Sequence, residues 1–586
     1  MKSLQQFVVF VIVVLALWPT TVVGTNFNSC ITEVIQGKYG NGSDIGGTDS
    51  YGRPKNASDA TGVTYNLCKH ACGGNQEPFN WTVFSQQFAS WLLPWLALVS
   101  QLPFGANDKL DNLHSVMLTV GSPTLAAYSL ALTVLNGRWV TRRFADYTYP
   151  NVRNAIRILS SLQQSPLKIE TRDGLLASLV VLPQNDEWWS ELNVWINYTH
   201  TWSISAVNNI AWVVIAYIFT LIDSFTVGVT NFINSNGQAV GSLWLWLLPI
   251  VIGWLQISPK CDSARLSSAV ERANKIAYVA TDDGDIVLVK HAGTEARAIM
   301  LTITEVDHLR RDEKCTSPIF NYARFLPWVQ AVEKVSEAFE SASEHYHHHQ
   351  SVDPSKTWST VAGDTSNRVG NKTQVEDYCL PPYNSRRCNH WRWRWEVLSN
   401  MFIASALALM LQWSTAGAAI MDVWLTPTRG LGCRSAAYLL YAVLSTLVWM
   451  LLVTSSILTH YYTLTTPGPR ARHHKGSIVY RWSTRAAKRF SILFRRLGKV
   501  IAAFNSILVV LTCLFQFGNF FNRCYCNSSV FWLGDRAYNV ITLSQDEIKS
   551  LKAVWLGGVC LAAGSAIIFV LFVNVYIDPP LPGPES

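Results

Sequence analysis

Charge is what this sequence has least of. Asp, Glu, Lys and Arg make up 15% of its 586 residues, against 49% hydrophobic residues. Soluble domains carry nearer a quarter charged residues, so an ordinary water-soluble chain is excluded. Signatures of common chemistry are missing too. There is no G-x-G-x-x-G, phosphate-binding loop, G-x-S-x-G or H-E-x-x-H, which removes the usual marks of dinucleotide enzymes, NTPases, serine hydrolases and zinc peptidases. Ionisable residues are also rare inside the long apolar runs. Asp223 and Asp422 lie near run ends and His114 at a start, while Asn208 and Asn209 fall in first turns. Ion-coupled pumps normally carry a titratable group within the membrane, so this pattern weighs against one. Gln412 and Asn505 are the polar residues within runs, and they read as bonds between helices worth about 1 kcal/mol each. No catalytic residue, metal or cofactor is expected.

What is present comes in apolar blocks. "FVVFVIVVLALW", Phe7 to Trp18, follows Lys2 and ends in "TTVVG", the pattern of a secretory signal peptide over residues 1–24. A polar head, 25–87, follows with sequons at Asn41, Asn56 and Asn80 and with Cys30, Cys68 and Cys72. In an oxidising compartment Cys30 is expected to pair with Cys68 or Cys72. Spans read near 113–135, 204–225, 240–257, 398–424, 436–458, 500–517 and 553–575. Each approaches the roughly 20 residues a helix needs to cross a bilayer, and none alternates as a barrel strand would. The fold class is therefore an all-α polytopic membrane protein with about seven transmembrane helices, a small external head and a larger internal soluble segment. An eighth block, Phe88 to Gly105, is short and holds Pro94 and Pro103. It is expected to enter and return without crossing.

Basic residues set the orientation. Arg470 to Lys499 holds Arg485, Lys488, Arg489, Arg495 and Arg496 and no carboxylate, so it is assigned to the cytoplasm. The head is then outside, and so is the loop carrying Asn527, Cys524 and Cys526. Cys433 is a candidate partner for one of that pair. Segments 136–203 and 258–397 and the tail 578–586 are inside. The membrane regions are 88–257 and 398–577. Trp391, Trp393 and Trp395 alternate with Arg392 and Arg394 just before a span. Indoles at headgroup level with arginines reaching phosphates explain all five residues as interface anchors. A single-strand nucleic-acid platform needs a wider basic groove with more aromatics, so no nucleic-acid partner is expected.

The internal segments carry local signals. "NVRNAIRILSSLQQSP" reads as a helix capped by Asn151, and "SARLSSAVERANKIAYVA" as one capped by Ser263. "DIVLVK" and "AIMLTI" read as strands. Pro327 marks the first turn of a helix, and residues 351–374 read as disordered. His345, His347, His348 and His349 form a run without ligand spacing. "STRAAKRFSILFRRLGKV" reads as an amphipathic helix on anionic inner-leaflet lipid, with a plain positive loop as the alternative.

Four phrases, "SWLLPWLALVSQLPFG", "VMLTVGSPTLAAYSLALTVLNGRWV", "ASLVVLPQNDEWW" and "GSLWLWLLPIVIGWLQISPKCDSARL", together resemble a family of uncharacterised multi-spanning membrane proteins of filamentous fungi. The resemblance covers residues 65–280 and implies a fungal membrane protein in which 88–105 and 113–135 form a fixed pair. It lends no activity. The reading that results is a non-enzymatic sensor or scaffold of the plasma membrane, contacting the lipid bilayer and a protein partner through residues 258–397. A transporter or channel for a neutral solute or lipid is the alternative.

Glycosidase treatment is expected to lower the protein's mass through Asn41, Asn56, Asn80 and Asn527, because only luminal sequons are modified. Asn197 and Asn371 should stay bare. A glycan on Asn371 would place the 258–397 segment outside.

Overall fold

The computed structural model describes residues 26–103, 109–198, 202–226, 242–292, 296–301, 308–361, 364–380, 395–465 and 478–581. Residues 1–24, with the expected signal peptide, lie outside these. Helices dominate. α1 is an unbroken succession of Trp81–Gln87, a π-helical turn Phe88–Leu92 and Leu93–Val99. Then come α2 (Lys109–Gly121), α3 (Pro123–Arg143), α4 (Ile204–Thr226), α5 (Ser242–Ile257) and α6 (Asn321–His347). α7 (Trp395–Leu425), α8 (Cys433–Thr465), α9 (Ile478–Phe517) and α10 (Gln545–Tyr576) complete the bundle. α4, α7, α8, α9 from Ser483 onward, and α10 are long and apolar enough to cross a membrane, and the α2–α3 pair adds a sixth if taken as one span. The chain is a helical membrane protein by this measure.

Contacts fix which helix ends meet. At one end, the cap end, Phe84 of α1 lies 5.7 Å from Phe517 of α9. There too Lys552 of α10 donates to the Phe225 carbonyl of α4, and Trp555 of α10 donates to Thr426 just past α7. At the other end, the base, Gln256 of α5 donates to Asn574 of α10, and Arg138 of α3 covers the Tyr576 ring. α1 therefore starts at the cap and descends antiparallel to α9, with Trp95 against Val509 and Val510. The 88–105 block was expected to turn back; it continues this descent through Val99. The π turn opens the hydrogen-bond ladder ahead of Pro94, whose ring would otherwise clash with the carbonyl four residues back.

The 113–135 block is not one straight span. α2 and α3 meet at Ser122 with their axes bent by 102°. Gly121 and Pro123 are the cause. A Cβ on Gly121 would lie 2.0 Å from the Ala502 carbonyl oxygen, so only a bare backbone fits against α9. Pro123 has no N–H to continue the ladder and is tolerated at the first helical position. The break leaves backbone groups that an apolar interior cannot hydrate, and α8 and α9 supply the partners. Tyr441 Oη donates to Val120 O at 2.8 Å, and Asn505 Nδ2 donates to Gly121 O at 2.8 Å and to Tyr441 O at 3.0 Å. Ser122 Oγ donates to Ser445 O and accepts from Leu125 N, while Thr124 N donates to Ser445 Oγ. From this junction α3 runs back to the base, where Arg143 pairs with Glu340 at 2.8 Å.

The cap joins residues 26–80 to the loops after α7 and after α9. Gly62–Thr64 pairs antiparallel with Gly47–Thr48 on one side and with Tyr538–Val540 on the other. Cys30–Cys72, Cys68–Cys524 and Cys433–Cys526 are disulfides.

The base is one packed unit made from the described residues of 144–198 and 258–380. Trp188, Trp189, Trp328 and Phe339 are fully buried in it. Its two short sheets are a local hairpin, Tyr278–Ala280 with Ile286–Leu288, and a pairing between distant segments, Lys168–Ile169 with Ile299–Met300. Several local expectations are corrected here. Residues 351–361 and 364–374 are ordered rather than disordered, because Arg368 pairs with Asp186 at 2.7 Å and Asn371 forms a capping box with Gln374. The helix at 263 is capped by Asp262, not Ser263. Asn151 holds the cap position in a left-handed conformation, but its side chain bonds Asp186 instead. Pro327 lies inside α6, which already begins at Asn321.

Replacing Asn505 by Leu removes the donor from two buried carbonyls. A loss of about 1–3 kcal/mol is expected, read as a lower melting temperature of the detergent-purified chain. An unchanged melting temperature would show that the α2–α3 break is not held there.

Candidate functional site

Where the base meets the bundle, a cavity of ≈ 230 Å³ opens. Its wall comes from α3 (Thr133, Gly137), the turn after residues 152–161 (Gln163, Gln164), the end of α5 (Gln256 to Lys260) and the chain past α10 (Ile577 to Pro579). The wall is polar for a stated reason in each case. Thr133 sits on the α3 face that α6 covers, and its hydroxyl accepts from Gln164 Nε2 at 3.1 Å and Asn321 Nδ2 at 2.9 Å. Gln163 donates to the Thr133 carbonyl and accepts from Asn136. Behind Gln164 lies Arg324 of α6, 2% exposed. One guanidinium nitrogen of Arg324 donates to Gln164 Oε1 at 2.7 Å and to Ser317 O at 2.9 Å, while Nε and Nη1 have no hydrogen-bond partner among the described residues.

Lys260 is the cation in the wall itself. It is buried and donates to the Tyr198 carbonyl. Arg265 lies over the Tyr198 ring at 4.2 Å and Lys260 Nζ at 5.0 Å, so two cations share one ring. Burial and the Arg265 charge push the Lys260 pKa down. Burial also holds Arg324 down at about 10. Cys261, between these cations in sequence and field, is pushed up to about 12 by burial and so stays a neutral thiol. Asp578 is the carboxylate on the wall, at its exposed rim.

The residues singled out from sequence fall elsewhere. All six cysteines named as disulfide candidates are joined, in the cap. Cys68, Cys72 and Cys524 hold their sulfurs within 4.8 Å of one another, but every one is oxidised and has no thiolate for a metal. Asn41, Asn56, Asn80 and Asn527 also lie on cap segments, while Asn371 is a helix cap in the base. Trp391, Arg392, Trp393 and Arg394 lie outside the described residues; Trp395 opens α7 and is 82% exposed. The 485–499 segment is not a separate surface helix. It is continuous with the span in α9, and its Arg485, Arg489 and Arg496 are exposed beside Phe490, Leu493 and Leu497. Lys488 lies over the Tyr462 ring, and Arg495 donates to the Leu309 carbonyl. The histidine run is used in packing: His345 stacks on Tyr378 and His349 on Trp358.

Sequence reading missed the cavity. Gln163 and Gln164 looked like a helix end and Lys260 like a span boundary. A usable signal was Arg324, a lone arginine among the apolar residues of "NYARFLPW". Comparison with family models, curated proteins and solved structures finds nothing that matches the chain, so the geometry alone speaks for the site.

Cys261, and Cys315 at about 11, are held as thiols by burial. At pH 8 the folded chain is expected to resist iodoacetamide at both and to react at both once unfolded. Rapid native modification of Cys261 would mean that this wall opens to solvent.

Proposed function

We propose that the chain is a non-enzymatic membrane sensor or scaffold that couples an external cap to a cytoplasmic base. In this reading seven helices cross, α1, α4, α5 and α7 to α10, and the α2–α3 pair re-enters from the base side. The orientation is supported by redox chemistry. The cap cysteines are paired, while Cys261, Cys315 and Cys379 in the base are free thiols, as oxidising and reducing compartments require. The plasma membrane is the proposed location. Exposed Arg485, Arg489 and Arg496 beside apolar side chains suit anionic inner-leaflet lipid, and the base offers the surface for a protein partner.

The observation that carries the reading is that α9 is held by the cap at its end and by the base near its middle. Its last residue, Phe517, packs on α1, and the loop beyond it is tied into the cap by Cys524 and Cys526. Lower down, Lys499 pairs with Asp312 of the base at 2.5 Å, and Tyr322 donates to the same carboxylate at 2.5 Å. A change in the cap therefore reaches the base through one rigid helix. A second reading, a transporter, is favoured by a different observation. The α2–α3 break resembles the discontinuous helices of transporters, and Gln412 and Asp422, both buried on α7, have no hydrogen-bond partner among the described residues.

Hydrogen exchange on the chain in nanodiscs tests the coupling. Cys433→Ser with Cys526→Ser is expected to lower amide protection across 308–347 several-fold. Protection confined to its native level there, with the cap loosened, would sink the sensor reading. Solute flux into proteoliposomes that Asp422→Asn abolishes would install the transporter instead.

A further inference from the structure

We infer that the cavity at the base is a binding site for a small oxyanion that also carries an amine, of the phosphoethanolamine type, seated on Lys260 with its amine at Asp578. The argument starts from an imbalance of charge. Lys260 is buried, and its ammonium has a carbonyl and a ring as its described neighbours rather than a carboxylate. Of the charged groups around it, Arg265 is a second cation, and the Asp262 carboxylate accepts from the backbone N–H of Arg265 and forms no ion pair with Lys260 among the described residues. Arg324 adds a third positive charge behind Gln164, with Glu313 the carboxylate in its field. The thiol of Cys261, held neutral, supplies no counter-charge.

A buried cation without a counter-ion is costly, and an anion from solution is the partner that removes the cost. An ammonium with donors to spare binds phosphate or carboxylate as a point charge. Ser160 and Ser161 stand on the same wall with hydroxyls able to donate. The volume, ≈ 230 Å³, suits a small polar molecule and not a large cofactor. Asp578 then decides between anions. A rim carboxylate repels a plain dianion and attracts an amine on the same molecule. The two charged residues come from different elements, the end of α5 and the chain past α10, and no ion pair joins them among the described residues. A ligand with both charges bridges them. The same chemistry exists as a free metabolite and as the headgroup of an amino-phospholipid. The inference does not rest on the sensor reading, because the cavity's charge is the same whichever way the bundle works.

The test uses the full chain in a neutral detergent and titrates phosphoethanolamine, inorganic phosphate and ethanolamine by calorimetry. Phosphoethanolamine is expected to bind at least tenfold tighter than phosphate, and ethanolamine not at all. Lys260→Gln should weaken binding by tenfold or more, while Lys260→Arg, which keeps the charge and guards against a folding defect, should retain most of it. Asp578→Asn should erase the preference over phosphate without lowering phosphate affinity. Competition by phosphatidylethanolamine in nanodiscs assigns the site to a lipid headgroup, and its failure assigns it to a soluble ligand; either supports the chemistry. No binding at millimolar concentration, or binding that Lys260→Gln leaves unchanged, overturns the inference. That outcome leaves the exchange experiment on the cap untouched.

Discussion

The fold depends on how one broken helix is made tolerable inside an apolar bundle. A backbone carbonyl left without a donor in such a place costs about 1–3 kcal/mol, more than most single apolar contacts return. At Gly121 and Ser122 several such groups are exposed at once. Asn505, Tyr441 and Ser445 meet them from two neighbouring helices, and these bonds fix the mutual register of α2, α3, α8 and α9. Gly121 completes the fit, since its backbone touches Ala502 with no room for a side chain. Asn505 thus does something more specific than link two helices. It substitutes for the ladder that Pro123 interrupts.

From that junction the two ends of the molecule diverge in chemistry. The cap is held covalently: Cys68–Cys524 joins residues 456 apart in sequence, and Cys433–Cys526 joins residues 93 apart. Cross-links over such lengths remove much of the freedom of the unfolded chain, which suits a cap whose own core is small. The base has no such bonds among its described residues and relies on burial instead, with tryptophans packed edge to face and α6 at its centre. Its charged contacts with the bundle include the open pair Arg143–Glu340 and one that is enclosed. Asp312 is 3% exposed and receives both Lys499 and Tyr322, a geometry in which a charge pair is held by hydrogen bonds and not by Coulomb attraction alone.

Much of this was legible in the residues, and the failures have physical causes. Long apolar blocks marked α4, α5 and α7 to within a few residues, because span length is dictated by the bilayer, and found the apolar middles of α8 and α10, which extend further to Thr465 and back to Gln545. The 88–105 block was expected to turn back and instead continues as helix through Val99, while the 113–135 block, expected straight, bends at Ser122. Pro94 and Pro103 suggested an interruption in the first, but what decides the outcome is which break can be satisfied by a neighbour. Asn505 lies 384 residues from Gly121, and local reading has no access to such a partner. The same holds for the 351–374 segment. Its polar composition suggested disorder, yet Arg368 finds Asp186, 182 residues away. Pairing across distance also placed one small strand: Ile299–Met300 of "AIMLTI" joins Lys168–Ile169, while "DIVLVK" forms a local hairpin with Tyr278–Ala280.

Orphaned polar side chains are where the structure departs from its own economy. The backbone at the α2–α3 break is satisfied with care, yet Gln412 and Asp422 sit on α7 with neither amide nor carboxylate bonded among the described residues. Asp422 lies against Gly558 of α10, where a Cβ would come within 2.7 Å of its Oδ1. A glycine there lets the carboxylate rest on bare backbone. Arg324 and the acceptors of Asn136 and Asn321 form a second such group around the basal cavity. A well-packed bundle gains by replacing unsatisfied buried groups with apolar ones of similar size. Such groups occur elsewhere too, among them Thr48 Oγ1 in the cap, Asn505 Oδ1 at the break and Ser165 Oγ in the base, so an orphaned side chain does not by itself mark a site. What sets the basal group apart is its neighbourhood: it stands beside a cavity with the buried Lys260 in its wall, and a surplus of buried positive charge is not something that packing stability explains.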